Sequence, residues 1–279
     1  CVEIEAAEDM VEERPFVKEA VEKTLEYLGE SKSFRITTGK VEKVGLGSSA
    51  AVTVAVVGAV LQFHGRAVEK DVVYQIAAAA HYAAQGGKGS GFDVAASVYG
   101  GVIAYKHRGE GMGEVTSLPI PTGLQLLVGW TGEAASTTEM MKEMGRWKEQ
   151  HREEYDQIMS AIGKTVEELI AAWKEDNKDQ MIMLLKKNRE LLQELGAKSG
   201  VQIETAVLKK LSDIADKHGA GKVSGAGGGD CGIAVVSDLG RQIKVEWKKE
   251  DIMPLDVHID EKGVEEDEGE GMCLTGLIG

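Results

Sequence analysis

The sequence predicts an α+β protein of two lobes. Three observations predict this class: short apolar, strand-like runs lie on both sides of long helical stretches, glycine-rich loops separate the elements, and prolines near residue 120 interrupt the pattern. Pro119 and Pro121 mark the expected boundary, which gives lobes at residues 1–120 and 121–279. A chain of 279 residues can bury one large core or two modest ones.

The first lobe is predicted to combine strands with buried helices. Pro15 stands at the first turn of a helix whose apolar residues recur at helical spacing. The helix at 49–63 is small and apolar on most faces, which indicates burial. The predicted elements are strands at residues 2–5, 33–38 and 102–105, and helices from Pro15, at 49–63, at 69–84 and, rich in alanine, from Asp93.

The second lobe is predicted to be mostly helical. Residues 137–218 are dense in Glu, Lys, Leu and Met, and a coiled coil is the alternative to a packed lobe. No heptad pattern continues through the expected breaks at Gly163, Asn177 and Gly196, so we expect packed antiparallel helices. The other predicted elements are strands at residues 124–128, 232–236 and 255–259, and a short amphipathic segment near Trp247.

Three glycine-rich segments carry the main functional signal. Residues 45–53 read Gly-Leu-Gly-Ser-Ser-Ala-Ala-Val-Thr, and this order presents backbone N–H groups and a helix N-terminus to a phosphate. An ordinary N-cap is the alternative, and the Gly-Lys-Ser/Thr ending of a Walker loop is absent from this segment. The other two segments are residues 85–95 and 222–232, and regular apolar patterns flank both, so neither is a flexible linker.

In this order the three segments resemble those of the GHMP kinases, a family of small-molecule kinases. Residues 45–50 are similar to that family's ATP-phosphate loop, and residues 222–232 to its C-terminal glycine loop. Gly-Ser-Gly-Phe-Asp-Val-Ala-Ala at 89–96 and Trp-Thr-Gly at 130–132 resemble the phosphomevalonate kinase branch. The resemblance spans nearly the whole chain. It implies a ribosomal S5 domain 2-like N-terminal lobe with a left-handed βαβ element, and a ferredoxin-like C-terminal lobe with added helices.

The resemblance implies transfer of the γ-phosphoryl group of ATP, with Mg²⁺, to 5-phosphomevalonate. Mevalonate kinase, a decarboxylase-like relative and a non-catalytic nucleotide-binding homologue stay as alternatives. Mevalonate kinases place a glutamate shortly before the catalytic aspartate, whereas residues 81–85 contain no carboxylate, which favours the phosphomevalonate branch. His81 lies in that stretch, either as a structural helix histidine or as a substrate contact.

The resemblance also assigns roles to individual residues. Asp93 is the expected catalytic aspartate, with an N-cap as the alternative. Whether it acts as base, Mg²⁺ ligand or orienting group stays open, because a phosphate acceptor is already ionised at neutral pH. Lys88 is expected to be catalytic, with a surface lysine as the alternative, and Ser49 is favoured over Ser48 as the Mg²⁺ ligand. ATP phosphates are assigned to Gly45, Gly47, Ser48, Ser49, Ala50, Gly225, Gly227 and Gly228, and the acceptor to Ser90, Ser136, Thr137, Lys222 and Asp230.

Composition narrows the kinds of partner, cysteine site and location that remain possible. The net charge of −14 argues against general binding to nucleic acid or anionic membranes. The resemblance implies small-molecule partners, ATP and 5-phosphomevalonate. The 3 cysteines show neither a disulfide framework nor metal-ligand spacing. No apolar run reaches the roughly 18 residues that span a bilayer, and no signal peptide is visible, so we expect a cytoplasmic location.

The expected opening segment of a GHMP kinase, a strand and loop that carry a lysine, is not found in the sequence that begins at Cys1. A fragment, a processed piece and opening strands supplied by a second chain are all open interpretations. A homodimer is open as well.

Overall fold

The computed structural model describes residues 2–6, 14–30, 34–38 and 44–266. Two compact units form within them: the described residues up to Ile120 together with those from His258 onward, and Pro121–Val257. The predicted lobes, residues 1–120 and 121–279, differ from these units in the C-terminal segment. The reason is packing, since Val264 is 1% exposed and belongs to the core of the first unit.

The first unit combines helices with two antiparallel strand pairs. Strand β1 pairs with β2, and β3 pairs with β4. The predicted helices, including the alanine-rich helix that begins near Asp93, are confirmed, whereas β4 was not predicted. The elements are β1 (Val2–Ala6), α1 (Pro15–Leu28), β2 (Phe34–Thr38), α2 (Ser48–Phe63), α3 (Lys70–Ala84), α4 (Phe92–Tyr99), β3 (Val102–Gly109) and β4 (Met112–Leu118).

Helix α2 lies at the centre of the first core. Its valines 54, 56, 57 and 60 are all 0% exposed, and α1, α3 and α4 pack against it. Small and β-branched side chains on every face allow this close approach of several helices, which confirms the expected burial of α2. The helix thereby holds its N-terminus, and the glycine loop before it, on a rigid support.

The second unit is an antiparallel sheet with helices inserted between its strands. The strand order is β6-β7-β5-β8. Taken along the chain, the pattern β-α-β-β-α-β with this order is ferredoxin-like, with α8 and α9 as its two helices, and α5 to α7 are the added helices. The elements are β5 (Gln125–Trp130), α5 (Thr137–Gln150), α6 (Arg152–Lys174), α7 (Lys178–Ser199), α8 (Ala206–Asp216), β6 (Gly219–Val223), β7 (Cys231–Val236), α9 (Gly240–Lys249) and β8 (Met253–Leu255).

Two of the three expected breaks in the helical region are wrong. Gly163 lies inside α6 and Gly196 inside α7, whereas Asn177 is the N-cap of α7 and accepts a hydrogen bond from Gln180 N. A glycine costs a long helix only about 1 kcal/mol, which packing can offset. At Gly196 a Cβ would stand 3.0 Å from the carbonyl oxygen of Val201, so the missing side chain lets the returning chain pack closely.

The strand expected at residues 255–259 is shorter and earlier, since β8 ends at Leu255. Throughout the described ranges, no helix has both the length and the apolar character required to cross a membrane.

Candidate functional site

The first glycine segment leads directly into α2. Gly45 and Gly47 both have φ of +78°, in the left-handed region that favours glycine. Gly47 is the N-cap residue, and the first helical hydrogen bond runs from Ala51 N to its carbonyl oxygen, at 3.0 Å. Because Gly47 has no side chain, α2 begins without a side-chain cap, and the alternative of an ordinary serine N-cap is wrong. A phosphate is the kind of group that satisfies such a helix start.

The second glycine segment brings Asp93 next to the first. Gly91 is the N-cap of α4 and Asp93 lies within its first turn, so the alternative of an N-cap aspartate is wrong. Asp93 Oδ1 accepts a hydrogen bond from Val94 N at 3.0 Å. A Cβ built on Gly47 would lie 3.7 Å from Asp93 Cβ, so the two segments lie side by side. The helix dipole of α4 favours the negative charge of Asp93 at this position.

His81 connects the hydroxyl of Ser49 with the carboxylate of Asp93. Its Nε2 lies 3.1 Å from Ser49 Oγ and 3.8 Å from Asp93 Oδ2. The side chain of His81 is 4% exposed and that of Asp93 is 28% exposed. Burial lowers the pKa of His81, and the nearby charge of Asp93 opposes this effect less strongly, so the ring is neutral at pH 7. Sequence patterns did not identify Ser49 or Asp93 as neighbours of His81. Its place on a buried face of α3 did indicate that its ring nitrogens need polar partners.

Lys88 is exposed on the loop before Asp93. In the part of the chain that the structure describes, its side chain makes no hydrogen bond or ion pair, and the structure does not bring it against Asp93. The neighbouring Ser90 is anchored through its backbone, because its carbonyl oxygen accepts a hydrogen bond from Tyr105 Oη at 2.5 Å and lies 3.1 Å from His107 Nδ1. This end of the loop is therefore fixed, while the lysine side chain extends into solvent.

The third glycine segment lies in the second unit, between β6 and β7, and other segments enclose it. Gly228 N donates to the carbonyl oxygen of Ile203 at 2.8 Å, and a Cβ on Gly227 would overlap the same carbonyl. A Cβ on Gly229 would stand 2.8 Å from the carbonyl oxygen of Glu133. These close approaches require glycine, whereas Gly225 is exposed and has open space beside it.

Lys222 and Asp230 stand at the two ends of this loop. Lys222 Nζ donates to the carbonyl oxygen of Val223 at 2.9 Å, and burial lowers the pKa of its ammonium to about 8. Asp230 has φ of +52°, its N–H donates to Glu133 O at 2.6 Å, and its carbonyl accepts from Thr131 N and Oγ1. The described contacts of Asp230 are thus made by its backbone.

Ser136 and Thr137 begin α5, and both are exposed. Ser136 occupies the N-cap position, but its side chain makes no capping hydrogen bond, so helix capping does not use its hydroxyl. Both hydroxyl groups are accessible at the start of this helix.

Comparisons with known proteins agree with this geometry. Residues 15–101 match the GHMP kinases N terminal domain, and residues 181–251 match the GHMP kinases C terminal domain. A mevalonate kinase from Thermococcus sibiricus is 30% identical over 258 residues, which cover 89% of this chain and 74% of that enzyme. The chain belongs to the GHMP kinase family. A phosphomevalonate kinase from Streptomyces sp. is 35% identical over 238 residues, and this match covers 76% of this chain and 63% of that enzyme.

Solved structures of other proteins share the fold of this member of the GHMP kinase family. The Lin0012 protein from Listeria innocua has a TM-score of 0.80 and 30% identity, over 92% of this chain and 81% of that one. Streptococcus pneumoniae phosphomevalonate kinase, in complex with phosphomevalonate and AMPPNP, has a TM-score of 0.78 and 23% identity, over 93% and 89% of the two chains. The predicted GHMP kinase fold is confirmed.

Magnesium, which the resemblance implies, fits the donor chemistry of the first unit. The hydroxyl of Ser49 and the carboxylate of Asp93 are hard oxygen ligands, and both lie beside His81 Nε2. Mg²⁺ commonly uses one or two protein oxygens together with substrate phosphates. No group of three or more His, Cys, Asp and Glu side chains that could hold a metal ion occurs among the described residues, so phosphate oxygens would complete the coordination here.

Proposed function

We propose that this GHMP kinase transfers the γ-phosphoryl group of ATP to the phosphate of 5-phosphomevalonate and forms 5-diphosphomevalonate. The observation that carries the proposal is the close approach of two segments of the first unit. The uncapped N-terminus of α2 at Gly47 lies beside the carboxylate-bearing turn at Asp93. The identity of 35% to a phosphomevalonate kinase supports the choice of acceptor.

Phosphoryl transfer depends on positioning and on neutralising charge, and the first unit offers both. N–H groups at 47–50 and the dipole of α2 would hold the ATP phosphates. Ser49 and Asp93 would hold Mg²⁺, which neutralises phosphate charge when it is bound. Lys88, with its exposed ammonium on the neighbouring loop, would approach a phosphate oxygen from the side of α4.

The acceptor decides whether Asp93 must take a proton. A phosphate monoester has a second pKa of about 6, so its attacking oxygen is already ionised at neutral pH and needs no base. Lys222 is suited to such an acceptor, because its ammonium donates to a carbonyl oxygen and no carboxylate pairs with it in the described structure. We assign Ser90, Ser136, Thr137 and Asp230 to the acceptor as well.

Mevalonate is the second candidate acceptor. Asp93 Oδ2 faces His81, and a carboxylate beside an imidazole can take a proton from a hydroxyl acceptor. The 30% identity to a mevalonate kinase over 89% of the chain also favours this candidate.

ADP release from Mg-ATP, measured with 5-phosphomevalonate, with mevalonate and without acceptor, tests the proposal. We expect turnover that depends on 5-phosphomevalonate. Turnover with mevalonate but not with 5-phosphomevalonate would overturn the assignment of the acceptor. If ATP binds but no ADP forms in the presence of either acceptor, the result would instead support a non-catalytic nucleotide-binding homologue.

A further inference from the structure

His81 is a buried polar residue in the last turn of α3. The residue is 3% exposed, and its Nε2 faces Ser49 Oγ at 3.1 Å and Asp93 Oδ2 at 3.8 Å. One ring nitrogen therefore meets both side chains that the proposed function assigns to the metal ion. Ala77 and Ala80 on the same helix are fully buried, so an apolar side chain would suit this helix, and a buried histidine calls for a polar role.

Packing fixes the position of the His81 ring. The ring of Phe16 in α1 lies 5.0 Å away between centroids, at an interplanar angle of 33°. Both α1 and α2 pack against α3, and 4% exposure of the side chain leaves little space for another rotamer. A ring held in this way can hold the groups that it contacts.

The charges around Nε2 favour a proton on that nitrogen. An ionised carboxylate only accepts hydrogen bonds, so a bare Nε2 lone pair would face Asp93 unfavourably. With the proton on Nε2, the ring donates to Ser49 Oγ, which is the nearer oxygen. The Ser49 hydroxyl then keeps its own proton and one lone pair for a ligand.

We propose that His81 is a positioning residue whose Nε2–H donates to Ser49 Oγ and faces Asp93 Oδ2, which fixes the separation of these two side chains. Its effect on turnover rests on the proposed function, whereas the hydrogen bond does not. A misplacement of about 1 Å can cost about 100-fold in rate, so the loss of this bond should lower kcat more than substrate binding.

Two substitutions of His81 separate the hydrogen bond from packing. His81→Leu keeps apolar volume but removes the donor, and His81→Gln offers an amide N–H in place of Nε2–H. We expect His81→Leu to lower kcat about 10- to 100-fold with KM for ATP changed less than about threefold, and His81→Gln to recover kcat to within about fivefold of wild type. The matched control is His64→Leu, which removes another buried histidine of the same unit, one that bonds the Val60 carbonyl, and should leave kcat unchanged.

A wild-type kcat in His81→Leu, or an equal loss in His81→Gln and His81→Leu, would overturn the proposal. A second measurement does not depend on turnover: imidazole ¹⁵N spectra of the whole chain report the tautomer of His81. We expect protonated Nε2, with a signal that shifts in Ser49→Ala and stays in place in Ser48→Ala. A proton on Nδ1, or no response to Ser49→Ala, would refute the hydrogen bond even if the enzyme turns over. If neither acceptor is consumed, the proposed function fails and the spectra still decide the role of His81.

Discussion

Replacing Asp93 with asparagine isolates the charge of this side chain from its structural contact. The amide oxygen of asparagine can still accept from Val94 N, which lies 3.0 Å from Oδ1 in the native protein. The free energy of unfolding should fall by about 0.3–1 kcal/mol, mainly because the carboxylate no longer interacts with the dipole of α4. A loss of this size corresponds to a fall in Tm of at most about 4 °C. Removing a preorganised charge from a phosphoryl-transfer site costs far more, about 100- to 1,000-fold in kcat.

The assay combines kcat from ADP release with a thermal melt of the same sample. Asp71→Asn is the matched control, because Asp71 also lies in the first turn of a helix, α3, and accepts a hydrogen bond from Tyr99 Oη at 2.8 Å. We expect both variants to melt within a few degrees of wild type, and only Asp93→Asn to lose turnover. Wild-type turnover in Asp93→Asn would remove Asp93 from the chemistry and contradict the assignment.

Other changes test separate parts of the site. Ser49→Ala should raise the Mg²⁺ concentration needed for half-maximal turnover about tenfold; an unchanged metal dependence would exclude Ser49 as a ligand. Lys222 is charged below its pKa of about 8 and neutral above it, so KM for a phosphorylated acceptor should rise about tenfold from pH 7 to pH 9, as the protonated fraction falls. Lys222→Arg should abolish that rise, and the same rise in both proteins would show that another group titrates. Gly91→Ala should cost about 2–5 kcal/mol of unfolding free energy, from its φ of +78° and from overlap with the Gly111 carbonyl. Gly29→Ala, at φ of +65° in open space, should cost only about 1 kcal/mol, and equal losses in denaturant unfolding would argue against the overlap.

The elements that position the first glycine segment could be predicted from local patterns. Apolar residues on most faces of α2 indicated burial, and the two glycines before Ser48 indicated a loop that meets a helix start. These signals are local, because backbone conformation and helix burial follow from neighbouring residues. Strand β4 was missed because it follows a tight turn at Glu110 and Gly111, both with positive φ, and Glu-Gly is a weaker turn signal than Asn-Gly or Asp-Gly.

The partners of His81 could not be predicted in the same way. Ser49 and His81 are 32 positions apart, and their contact exists only because α2 and α3 pack side by side. Helical periodicity predicts that a face is buried but not which side chain lies opposite. The C-terminal segment is a similar case, since Val264 N donates to Val98 O. The acidic run that follows Val264 in the sequence, 265–270, does not indicate this long-range contact.

The most direct test of the central claim is ³¹P NMR of the product formed from Mg-ATP and an equimolar mixture of mevalonate and 5-phosphomevalonate. We expect two coupled signals from a P–O–P linkage in addition to those of ATP and ADP, with loss of the 5-phosphomevalonate signal. Growth of the 5-phosphomevalonate signal, which phosphorylation of mevalonate would cause, with no P–O–P signals beyond those of ATP and ADP, would contradict this claim.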